Sequence, residues 1–137
     1  MENYRRLNHE KFILKYHIIL STKYRKKLLG SISDDIKKYM KLAEASQSKW
    51  SIEIMEIDKN KPDHIHFLIN ATPTDTIANI IHKLKQFSTY YVWKEHGQYM
   101  NNYYWSGKHY LWTRGYFCSS IGSVSKETVY SYIEKQG

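Results

Sequence analysis

Cysteine is almost absent: Cys118 is the only one in 137 residues. A single thiol excludes an intrachain disulfide and a zinc–cysteine cluster, and it fits a reducing cytoplasm. Two prolines and six glycines leave little room for flexible linkers. No apolar run approaches the ~18–20 residues of a membrane span. The opening residues, Met1-Glu2-Asn3-Tyr4-Arg5-Arg6, carry charge but no apolar stretch, so no signal peptide is read there. Acidic residues are also scarce. Against 21 Lys and Arg stand 13 Asp and Glu, for a net charge of +8. A small domain this basic most often binds nucleic acid. An anionic membrane surface is the weaker reading, and plain solubilising charge is the bland one.

Aromatic residues, by contrast, make up 15% of the chain, with 13 Tyr and 4 Trp. That is too rich for a disordered chain. The length suits one domain over residues 1–137. Tyr16–Ser21 is a short apolar run that reads as a buried strand. Ser33 is expected to cap a helix from about Asp34 to Ser48, with Ile36, Tyr39, Met40 and Ala43 on one face. Ser51–Asp58 alternates as a strand, and Pro62 sits in the turn leading to a second strand, His64–Asn70. Thr74 or Asp75 opens the longest helix, about Thr76–His96, which Gly97 is expected to end. Ile77, Ile80, Ile81, Leu84, Phe87 and Tyr91 form its apolar stripe. Gln98–Arg114 reads as irregular, Gly115–Ser120 as a last strand, and about 125–136 as a final helix capped by Ser125. The order βαββαβ predicts an α+β, ferredoxin-like or RRM-like antiparallel sheet with helices on one face, plus a C-terminal helix.

Two histidines stand one residue apart at the start of the His64–Asn70 strand, His64-Ile65-His66. Positions i and i+2 of a strand share a face, about 6.5–7 Å apart at Cα. Both imidazoles can therefore converge on one divalent ion. The bland alternative is a pair of satisfied imidazoles in or beside the core. A third donor is needed, and Gln136 and Asp63 offer oxygen. A mixed imidazole–oxygen site suits Mg²⁺ or Mn²⁺ better than structural zinc. His9, His17, His82, His96 and His109 show no such pairing and read as structural or surface residues.

The final helix places Tyr132 and Gln136 at i and i+4, on one face. A metal pair plus a tyrosine on a separate element is what phosphodiester cleavage through a covalent tyrosine link requires. Tyr130 is the rival nucleophile. It lies about 200° round the helix from Tyr132, with Glu134 as its own i+4 partner. With 13 tyrosines in the chain, packing or display is the ordinary role of any one of them. Lys23, Arg25, Lys26, Lys27, Lys83 and Lys85 are candidate phosphate contacts. The aromatics of Tyr99–Trp112 are candidates for stacking on unpaired bases. A solvated turn and a hydrophobic plug are the bland readings of these two groups.

His64-Ile65-His66 resembles an HUH motif, and Tyr132-x-x-x-Gln136 resembles the single-tyrosine helix of HUH transposases. Lys15–Ile19 with Lys23–Lys27, Asp63–Leu68, and Leu111–Thr113 through Phe117 and Gly122 resemble further stretches of the small TnpA-like transposases of the insertion-sequence "two-hundred" type. The resemblance covers nearly the whole chain. It implies a homodimer that cuts single-stranded DNA near imperfect hairpins through a 5′-phosphotyrosine and rejoins the strands. It implies metal ligation by His64, His66 and Gln136, attack by Tyr132, and composite sites made by exchanging the tyrosine helix about a hinge at Ser120–Ser125. The chain ends one residue after Gln136, where family members often carry a short tail. Two other expectations stand beside it. One is a host-serving HUH endonuclease acting on repeated palindromes, and the other is a non-enzymatic single-strand nucleic-acid binding module. Ferredoxin-like sheets carry the latter on RNP-type aromatics, a signature missing here.

Overall fold

The computed structural model describes residues 14–121. Four strands and two helices fall within these residues, in the order βαββαβ. They are β1 (Leu14–Ser21), α1 (Ser33–Ala45), β2 (Ser51–Ile57), β3 (His64–Ala71), α2 (Ile77–Asn101) and β4 (Phe117–Ile121). A one-turn 3-10 segment, Lys23–Arg25, follows β1. The sheet order is β2-β3-β1-β4 and every neighbouring pair is antiparallel. This is the ferredoxin-like α+β arrangement that the element order predicts.

Alternation decides the faces. Ile18 and Leu20 of β1 and Ile65, Phe67 and Ile69 of β3 join one core cluster with the buried faces of both helices. Those faces carry Ile36, Tyr39, Met40 and Ala43 on α1, and Ile80, Ile81, Leu84 and Val92 on α2. The intervening residues, His17 on β1 and His64, His66 and Leu68 on β3, therefore project from the other side of the sheet. There Leu68 packs with Ile54 and Ile121 in a small separate cluster. The strands thus bury a greasy face under the helices and carry the histidines on the reverse.

The helix ends differ from expectation, α1 closing at Ala45 rather than near Ser48. Ser33 does not cap α1: Ile36 N–H already bonds to the Ile32 carbonyl, so the helix starts one residue earlier, with Ser33 inside it. Thr76, rather than Thr74 or Asp75, caps α2, its hydroxyl oxygen accepting from Asn79 N–H at 3.1 Å. Asp75 instead closes the preceding turn on Thr72. Gly97 does not end α2. His96 absorbs a local distortion (φ −130°, ψ 36°), and the helix continues to Asn101. The extra turn is held because Met100 is fully buried and the Tyr99 hydroxyl donates to the Leu28 carbonyl. The predicted C-terminal helix lies outside the described residues.

Candidate metal centre

β1 and β3 lie side by side with Ser21 opposite His64, Ile19 opposite His66 and His17 opposite Leu68. Three imidazoles are thereby collected on one face. The His64 and His66 ring centroids are 4.8 Å apart with planes at 74°. Both side chains are buried.

His64 and His66 each have Nδ1 engaged. His64 Nδ1 is 2.7 Å from Asp63 Oδ1, and Arg25 Nε donates to Asp63 Oδ2 at 3.1 Å. Burial of Asp63 pushes its carboxyl up, but hydrogen bonds from His64 and Arg25 and the guanidinium charge outweigh this and hold it below the usual range. His66 Nδ1 faces His17 Nε2 at 3.2 Å, with the two ring planes within 5°. Burial pushes His17 and His66 down to about 4, with repulsion from His64 and His17 adding to the effect at His66. Both rings are therefore neutral at pH 7, which lets His17 Nε2 accept from His66 Nδ1–H and leaves the lone pair of His66 on Nε2.

His66 Nε2 is buried and has no hydrogen-bond partner. A buried polar atom left unpaired is costly and calls for an explanation. With Nδ1 of His64 and His66 taken by an orienting group, Nε2 is the nitrogen left on each for a ligand. Neutral imidazoles, each fixed through the second nitrogen, are the donor set a divalent ion takes. The residues present fit such an ion.

Asp63 is not free to act as a ligand in this arrangement, since its two carboxylate oxygens orient His64 and anchor Arg25. His17, expected to be an ordinary structural or surface residue, instead stands directly behind His66. Nothing local in the sequence marks it; only the register of β1 on β3 brings the two rings together. Tyr132, Gln136, Tyr130, Glu134, Ser125 and Gly122 lie outside the described residues.

The basic residues divide. Lys27 is exposed on the loop beyond the 3-10 turn. Lys23 sits over the rings of Tyr24 and Tyr110, and Lys26 over Trp105. Lys83 lies over Phe87 on α2. Lys85 is already engaged with the backbone. Its Nζ donates to the carbonyls of Thr113, Arg114 and Gly115 at 2.8, 3.1 and 3.4 Å, and burial lowers its pKa. It straps the segment before β4 onto α2. Among the described residues, no helix is long and apolar enough to cross a membrane.

A four-stranded sheet that presents a histidine–hydrophobic–histidine pair with free Nε2 atoms is the frame of an HUH-type enzyme. The family model "Transposase IS200 like" matches residues 10–136. The chain belongs to this IS200-like transposase family, whose members are single-tyrosine HUH enzymes working with a divalent metal. It is 30% identical over 124 residues to the ISDra2 transposase TnpA of Deinococcus radiodurans, covering 90% of this chain and 84% of that one. It is 27% identical to the transposase for insertion sequence element IS200 of Salmonella typhimurium, covering 95% and 81%. Among solved structures, a candidate transposase from Deinococcus radiodurans R1 superposes with TM-score 0.68 at 26% identity, covering 91% of this chain and 92% of that one. A REP-associated tyrosine transposase bound to a REP hairpin shares the fold at TM-score 0.61 and 14% identity, covering 90% and 68%.

Proposed function

We propose that this transposase is a single domain over residues 1–137 that cuts and rejoins single-stranded DNA at hairpin-bearing element ends through a 5′-phosphotyrosine. The observation that carries this reading is the pair of buried imidazoles with Nδ1 occupied and Nε2 left over. His64 and His66, with the Gln136 carbonyl as third donor, would hold Mg²⁺ or Mn²⁺. Such an ion, when bound, supplies positive charge to a phosphate oxygen. Asp63 and His17 are positioning residues that fix the two rings. For His66 to offer Nε2, its Nδ1 must carry the proton and donate it to His17 Nε2.

Tyr132 is the nucleophile. Its hydroxyl oxygen forms a bond to phosphorus, the bond to the 3′-oxygen breaks, and the phenol proton leaves while the 3′-oxygen departs as a hydroxyl. One phosphodiester replaces another of similar energy, so the step reverses with a new 3′-hydroxyl and needs no nucleotide triphosphate. The exposed Lys27 and the neighbouring Lys23, Arg25 and Lys26 supply backbone attraction. Solution of a fold relative on a REP hairpin supports hairpin recognition as the class of substrate. A homodimer that exchanges its tyrosine helices completes the reading; disulfide crosslinks formed only within one subunit on DNA would contradict that exchange.

The test of the reaction is a covalent-adduct gel. Labelled single-stranded DNA from the ends of the protein's own element is mixed with wild type or Tyr132→Phe, in Mn²⁺ or EDTA. A detergent-resistant slow band that needs both Tyr132 and metal is expected. An adduct that survives in Tyr132→Phe and disappears in Tyr130→Phe would overturn the assignment of the nucleophile.

A further inference from the structure

Past the end of β1, at the 3-10 turn, is a cleft of about 310 Å³ lined by Tyr24, Lys26, Tyr104, Trp105 and Tyr110 among others. Tyr104 is its buried member, with its hydroxyl donating to the Lys23 carbonyl at 2.8 Å. Two aromatic residues stand open to water: Trp105 is 74% exposed and Tyr24 68% exposed. A hydrophobic plug under a loop would cover such rings rather than present them.

The backbone is bent to present one of them. Tyr24 and the next residue, Arg25, both sit in the left-handed region, at φ 61° and 52°. Neither is glycine, so the conformation is unfavourable and must be held by its surroundings. It is held three times over. Arg25 N–H bonds to the Thr22 carbonyl, Thr22 Oγ1 donates to the Lys26 carbonyl, and the Arg25 side chain binds Asp63. Strain maintained by that many contacts points to a use for the side chain it displays.

We propose that this cleft takes one unstacked nucleobase of single-stranded DNA, close to the bond that is cut. The inference rests on the function proposed above and names a substrate subsite for it. Aromatic faces are the sequence-tolerant platform for a base. Lys23 Nζ lies 4.8 Å from the Tyr110 ring centre and 5.3 Å from that of Tyr24, and Lys26 Nζ lies 5.9 Å from that of Trp105. The ammonium groups thus rim the cleft, where the phosphates flanking a seated base would pass. The position relative to the cut follows from a short chain of contacts. Tyr24 adjoins Arg25, Arg25 binds Asp63, and Asp63 binds His64. Tyr104 and Leu111 are pinned to the same end of β1 through the Lys23 carbonyl and N–H.

The test is DNA binding in EDTA, which separates base capture from cleavage. The probes are a labelled oligothymidylate of about twelve nucleotides and an abasic strand of equal length. Trp105→Ala and Tyr24→Ala remove exposed rings, so the fold is not at stake. Each variant is expected to bind the oligothymidylate about tenfold more weakly and the abasic strand as wild type does. Tyr90→Ala, which removes a similarly exposed ring on α2, should leave both affinities unchanged, and Lys26→Ala should lower the salt slope by about one. Equal binding of the two strands by wild type, or an equal loss from Tyr90→Ala, would overturn the subsite while leaving the adduct test of the reaction standing. No binding of either strand by wild type would overturn the subsite and the DNA reading together.

Discussion

Two clusters of titratable side chains sit at opposite faces of the sheet layer, and they look interchangeable in composition. One is His64, His66, Asp63 and His17 on the strands. The other is Asp35 on α1 with Glu95 and His96 on α2, whose ligand atoms lie within 4.8 Å of one another. The second is closer to a metal site by proximity alone, yet its donors are already engaged. His96 Nε2 is 2.6 Å from Asp35 Oδ2, and Glu95 accepts the Tyr39 hydroxyl. Burial, then the Glu95 bond and charge, drives the Tyr39 phenol up out of the physiological range, so it stays a donor. That cluster clamps α2 to α1 at the point where α2 distorts. In the strand cluster the engaged atoms are the Nδ1 nitrogens, and a buried Nε2 remains unpaired. What separates a ligand set from a clamp is which atoms are left over, not which residues are gathered.

The comparison breaks most sharply under substitution. His64→Ala or His66→Ala should abolish the tyrosyl–DNA adduct while the fold survives, whereas His96→Ala should leave adduct formation near wild type in the same gel. The positioning residues come next. Asp63→Asn and His17→Leu are expected to weaken Mn²⁺ binding about 10–100-fold, measured by titration calorimetry. His17→Gln, which can return an acceptor near the Nε2 position, should recover much of the loss; a His17→Leu affinity equal to wild type would make that ring mere packing.

Acid should distinguish the clusters in stability. Burial holds His17 and His66 down to about 4, while the unfolded chain protonates near the ordinary 6.5. The unfolded state therefore binds more protons between these values, so metal-free stability is full above about 6.5 and falls as pH drops toward 4. Urea midpoints in EDTA across that window should show the fall, and His17→Leu should show a shallower one. The smallest effect belongs to the clamp: Tyr39→Phe is expected to cost about 1 kcal/mol by urea denaturation and to leave the adduct untouched.

Much of this was legible from residues alone. The i, i+2 spacing of His64 and His66 put both on one face of the His64–Asn70 strand; that this is the face away from the helices follows from the burial of Ile65, Phe67 and Ile69 in the core. The four-residue stripe of α1 was equally direct. Two kinds of feature were not. His17 reaches His66 across 49 residues of sequence, a contact that only inter-strand register creates. Gly97 looked like a stop because helix propensity was read locally, but burial of Met100 and the Tyr99 bond override a glycine that costs about 1 kcal/mol. Lys85 likewise carried a generic positive charge in the sequence; three carbonyls in the fold made it a strap.

The central claim is that the leftover Nε2 atoms of His64 and His66, and not the helix clamp, hold the divalent ion. The direct measurement is a Mn²⁺ titration followed by electron paramagnetic resonance on wild type, His66→Ala and His96→Ala. The account predicts one bound ion in wild type and in His96→Ala, and its loss in His66→Ala. Retention of the ion in His66→Ala with its loss in His96→Ala would contradict it.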